Sequence, residues 1–169
     1  MHTLHGRYSH TFVGGLIVVA ALAVSDSAEA QPISYRITCT NYGPNSNEPL
    51  GDRDGHSVQV GDATCIVQGG PMDGADATQQ VIWEYDKGVG TLLSAHTVFR
   101  RPGAMLISVG RTGKLNLQMA DGRVTGWTAS GTLSYPMATG SATVLDKKSA
   151  TWTGRPTGNR TFVIEFTVE

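Results

Sequence analysis

Two patterns of hydrophobic positions divide the chain. The first is a continuous small-and-apolar run, Phe12 to Val24 (FVGGLIVVAALAV). The second begins after Gln31, where apolar and polar residues alternate with a period of two. Alternation of that kind places successive side chains on opposite faces of an extended strand. The final segment is the clearest: in Thr161 to Val168, Phe162, Ile164, Phe166 and Val168 face one way, and Val163, Glu165 and Thr167 the other. Lys114 to Met119 repeats the pattern, with Leu115, Leu117 and Met119 opposed to Asn116 and Gln118. Met105, Ile107 and Val109 form a similar row around Leu106 and Ser108. No segment sustains apolar residues at helical spacing.

Further strands are expected at Ile33 to Thr40, His56 to Val60, Thr64 to Gln68, Thr78 to Tyr85, Thr91 to Phe99, Val124 to Tyr135, Ser141 to Leu145 and Ala150 to Thr153. Between them lie residues that tolerate positive φ or preset a bend: Gly69-Gly70-Pro71, Asp86-Lys87-Gly88, Arg111-Thr112-Gly113, Asp121-Gly122 and Thr157-Gly158-Asn159. Asp121-Gly122 between two alternating runs is a strong hairpin signal. Asn41 to Gly55 (NYGPNSNEPLGDRDG) has no period and reads as a long loop. About eight to ten short strands with no covering helix must close on themselves or pack as two sheets. Closure removes unpaired edges, and Gly126 and Gly131 inside one long strand suit a barrel corner. A small closed antiparallel β-barrel is the favoured architecture, with a β-sandwich as the alternative.

The apolar run near the start has a different use. Arg7 precedes it without an acid, and Ala28-Glu29-Ala30 follows a short polar stretch. Charged start, short apolar centre and A-x-A end make residues 1–30 a secretory signal peptide, with a single barrel domain over 31–169. The run falls short of the roughly 20 apolar residues that a membrane span needs. Removing Arg7 on one side and Asp26 and Glu29 on the other turns the formal charge of −1 into zero. A neutral chain with scattered charges has no electrostatic footprint for nucleic acid or for an anionic membrane after cleavage. Export to the periplasm or the exterior also gives the two cysteines an oxidising compartment. A Cys39–Cys65 disulfide is the expected pairing, stabilising by roughly 3 kcal/mol on the chain-entropy model.

The C-terminal third carries a resemblance. Val124-Thr125-Gly126-Trp127 leads through Gly131-Thr132-Leu133-Ser134-Tyr135 to Ala138-Thr139-Gly140-Ser141-Ala142, then Trp152-Thr153-Gly154 and the closing alternating strand. This order resembles the allene oxide cyclase and dirigent barrel superfamily over roughly Gly122 to Glu169. It departs from the pattern in having Ala138-Thr139-Gly140 followed by Ser141, and Lys147-Lys148 in the later turn. The resemblance implies a barrel, leaves room for cofactor-free cyclase-like chemistry and implies frequent oligomers. No isolated apolar stripe here demands an oligomer, and the families' catalytic residues do not carry over position by position.

Candidate chemistry follows from a barrel's cavity, whose lining alternates with its outer wall. Glu84 lies between Trp83 and Tyr85; facing inward, its carboxyl would be desolvated and suited to acid–base work, while facing outward it is a solvated wall residue beside Gln80. His96, sharing a face with Leu92, Ser94 and Val98, is the strand histidine for proton transfer, or else a satisfied or exposed one. Tyr135 precedes Pro136 near a rim, where its hydroxyl either meets a ligand or closes the barrel end. Trp83, Tyr85 and Trp127 are the candidate ligand contacts, or simply wall aromatics. No nucleophile elbow, zinc motif, P-loop or Rossmann fingerprint occurs, and no cofactor or metal is expected. The sequence therefore points to a secreted barrel holding an apolar small molecule. The alternative is a structural or interaction module whose interior is filled by its own side chains.

Overall fold

The alternating segments build a sheet that meets itself. A computed structural model describes residues 31–42 and 46–169; the signal-peptide reading of residues 1–30 lies outside the described residues. Nine strands follow in order: β1 (Ile33–Asn41), β2 (Ser46–Pro49), β3 (His56–Gln68), β4 (Asp76–Asp86), β5 (Val89–Arg101), β6 (Ala104–Ala120), β7 (Arg123–Ala138), β8 (Ser149–Gly158) and β9 (Thr161–Val168). Each pairs antiparallel with its neighbour from β3 to β9. Closure comes from β1, which lies between β9 and β3. Eight strands complete the ring, and β2 adds to the part of β3 that β1 leaves free. The architecture is a closed antiparallel barrel with one extra strand.

The Cys39–Cys65 disulfide sits on the closing seam. The two residues are register partners of β1 and β3, both side chains are buried, and their Cα atoms are 4.0 Å apart. Two hairpins turn where expected. Lys87-Gly88 and Asp121-Gly122 each place two successive residues at positive φ, which matches the twist of the flanking strands.

Three expectations need correction. Ser141 to Leu145 is not a strand: Gly140–Leu145 forms a 3₁₀ helix that buries Ala142 and Leu145, three apart, under one end of the barrel. The long loop contains β2. The segments His56 to Val60 and Thr64 to Gln68 are one strand, β3, and the turn expected at Arg111–Gly113 falls inside β6. In β6 the pairing slips between Gly110 and Thr112, and such a bulge reverses which face a side chain takes. Leu115 and Leu117 point inward, but before the slip it is Leu106 and Ser108 that do so, while Met105, Ile107 and Val109 are only half-buried on the outer wall.

One end of the barrel is plugged. Tyr35 stacks on Phe166 with ring centroids 4.7 Å apart and meets Phe99 edge-on at 6.5 Å. Its hydroxyl and that of Tyr135 share a buried hydrogen bond of 2.6 Å. Met72 and Ala75 of the β3–β4 loop and Leu145 of the 3₁₀ helix close the base, and Ser141 Oγ donates to the Pro71 carbonyl to tie the two covers together. Burial pushes Tyr35 well above the ordinary tyrosine value and pushes Tyr135 and Tyr85 up to about 12. The fold therefore favours the protonated phenols, so their contribution is complete below the ordinary value of 10.0 and is lost as pH rises through the folded values. Thermal melting is expected to hold steady up to about pH 10 and to fall steeply towards pH 12, more shallowly in the Tyr35→Phe/Tyr135→Phe double variant. Melts followed by circular dichroism across that range check it.

Candidate functional site

Above the plug the barrel is hollow. The cavity holds about 300 Å³, at the small end of the range for ligand pockets. Its space comes from small residues on inward positions: Gly61 of β3, Ala95 of β5, Gly110 of β6, Ala129 of β7 and Gly154 of β8. Aromatic rings make much of the remaining wall. Trp83 meets Trp152 edge-on at 6.4 Å, and Trp127 meets Phe162 at 5.9 Å. The chain's three tryptophans all line this one space.

The mouth lies at the end opposite the plug, where Asn41, Gln59, Tyr85, Leu117 and Trp127 come together. Here β7 has no β8 partner, because their pairing begins only at Ala129. Tyr85 donates its hydroxyl to Gln59 Oε1 at 3.1 Å. With its pKa near 12 from burial, Tyr85 keeps that proton throughout the physiological range. It is the one titratable side chain in the lining among the described residues; no carboxylate, histidine, lysine or arginine reaches the cavity. The interior can enclose, orient and hydrogen-bond a molecule, but it offers no acid–base pair.

The sequence-derived residues divide accordingly. Trp83, Tyr85 and Trp127 line the cavity. Tyr135 is fully buried in the plug against Tyr35, and not at a rim where a ligand could reach it. Glu84 is on the outer wall, with its side chain 37% exposed. His96 is also outside and exposed. Its assignment to the face of Leu92 fails because the pairing of β4 with β5 slips: Ile82 pairs with Ser94 but Trp83 with Leu92, leaving Leu93 as the extra residue. Leu92 thus turns inward with Ala95 and Thr97, and His96 turns outward. Neither Glu84 nor His96 can act on a molecule in the cavity.

Glu84 instead belongs to a cluster that the sequence reading did not single out. His56, at the start of β3, joins Asp52 through Nδ1 at 2.5 Å and Glu84 through Nε2 at 2.7 Å. Arg53 bridges Asp52 and Asp86 beside them. The His56 pKa is raised first by the hydrogen bond to Asp52 and then by that to Glu84, and Asp52 is lowered chiefly by the same bond to His56. The one available signal was the spacing of Asp52 and His56 across a turn. The cluster pins the β2–β3 loop to β4 and has no nucleophile among its hydrogen-bonded partners. Nor is any group of three or more His, Cys, Asp or Glu among the described residues placed to hold a metal ion. In comparisons with known proteins, no family model, no curated protein and no solved structure matches this chain.

Proposed function

We propose that the protein is an exported β-barrel that binds an apolar small molecule in its interior. The hollow, aromatic-walled cavity carries this reading: a barrel with a purely structural role fills its interior with side chains, as this one does at the plugged end and not above it. Export is supported by the leader-like N-terminus and by the disulfide, which is compatible with an oxidising compartment. A barrel is also what the resemblance to the allene oxide cyclase and dirigent barrels implies. With no carboxylate or histidine in the lining, any chemistry there would rest on shape and confinement; binding is therefore the better-supported function.

The test uses N-phenyl-1-naphthylamine, an uncharged dye that brightens in apolar surroundings. Added to the purified protein, it is expected to brighten saturably at one dye per chain and to quench emission from Trp83, Trp127 and Trp152. No brightening and no quenching would reject the binding reading in favour of a structural or interaction module.

A further inference from the structure

The lining is not apolar throughout. Gln79, Thr97 and Ser108 are register partners across β4, β5 and β6, so their inward side chains form one short polar row on the cavity wall. The row lies just above the plug, whose next inward positions are Ala77, Phe99 and Leu106. Apart from the plug tyrosines, the buried polar side chains among the described residues are His56, Thr97 and Ser108. His56 has two partners, and Thr97 accepts a long 3.4 Å bond from Gln79 Nε2. The Ser108 hydroxyl, in a residue only 3% exposed, has no hydrogen-bond partner among the described residues. A hydroxyl that lines a cavity without an intramolecular partner is available to bond a ligand atom there. Beside it, Ala95 and Gly110 are the neighbouring inward positions of β5 and β6 and line the same cavity.

We infer that the cavity takes an uncharged aromatic molecule carrying one hydroxyl or carbonyl, inserted with that oxygen deepest, against Ser108, Thr97 and Gln79. The row offers two hydroxyls and an amide, which can both donate and accept. It offers no cation, so a carboxylate at the same depth would be desolvated without a counter-charge. A flat ring system suits the remaining wall of Trp83, Trp152 and Phe162. This inference rests on the cavity being a ligand site.

The experiment is competition against bound N-phenyl-1-naphthylamine by naphthalene, 2-naphthol and 2-naphthoate at neutral pH. The expected order is 2-naphthol tighter than naphthalene by about three- to tenfold, with 2-naphthoate weaker than naphthalene by at least about tenfold. In Ser108→Ala the advantage of 2-naphthol over naphthalene should shrink towards one, with circular dichroism reporting an intact fold. Thr97→Val gives an independent version of the same test. Equal binding of naphthalene and 2-naphthol, binding of 2-naphthoate as tight as 2-naphthol, or an undiminished preference in both variants would overturn the inference and leave the ligand site standing. Failure of the dye itself to bind would remove the ligand site, and the inference with it.

Discussion

Replacing Gly131 by alanine is expected to destabilise the barrel by about 3 kcal/mol or more, from one added methyl group. Gly131 of β7 is the register partner of Gly113 on β6 and of Trp152 on β8. A Cβ there would lie 2.0 Å from the Thr112 carbonyl oxygen and 2.8 Å from the Gly113 Cα. Both are backbone atoms, so relief requires β6 and β7 to separate, and in a closed ring that strains every other pairing. The indole of Trp152, 2.8 Å from the same position, occupies the space that the absent side chains leave. Gly126 on the same strand provides the contrast. Its added Cβ would meet only the end of the flexible Gln118 side chain, so Gly126→Ala should change stability by less than about 1 kcal/mol. Urea unfolding of the two variants measures the difference; equal midpoints would mean that β6 and β7 do not approach as closely as described.

Opening the disulfide is the second large effect. Cys39 and Cys65 enclose a sequence separation of 26 residues, for which the chain-entropy model gives roughly 3 kcal/mol. For a domain of this size that corresponds to a fall in melting temperature of roughly 10 °C. The position adds a local consequence. Because the bridge lies on the β1–β3 seam, the amides paired across it should gain hydrogen exchange ahead of those in the β6–β7 hairpin. The Cys39→Ala/Cys65→Ala variant, followed by calorimetry and by exchange, provides both readings. An unchanged melting temperature would mean that the seam holds without its covalent tie.

The barrel was legible in the sequence because its signals are local. Phe162, Ile164, Phe166 and Val168 face inward as their alternation implies, and Asp121-Gly122 turns the hairpin that it announces. Bulges were not legible, and they decide the site. One extra residue at Leu93 turned His96 away from the cavity, and the slip after Gly110 hid the fact that Ser108 points into it. Hydrophobicity alone favoured Met105, Ile107 and Val109 as the inner row of β6. A hollow interior inverts that preference, since it tolerates a serine where a packed core would not. Trp83 and Tyr85 keep one face of β4 because the extra residue of the β4–β5 slip lies in β5, whereas no alternating segment of the sequence oriented Trp127. Glu84, between Trp83 and Tyr85, takes the opposite face, where His56 reaches it from the neighbouring strand.

The central claim is that the interior of the barrel is a binding site, and locating a ligand atom tests it most directly. Crystals of the protein soaked with 6-bromo-2-naphthol should give an anomalous bromine peak inside the cavity, with the naphthol oxygen at hydrogen-bond distance from Ser108 Oγ and the rings against Trp152. An interior free of bromine, with peaks confined to the outer surface, would contradict it.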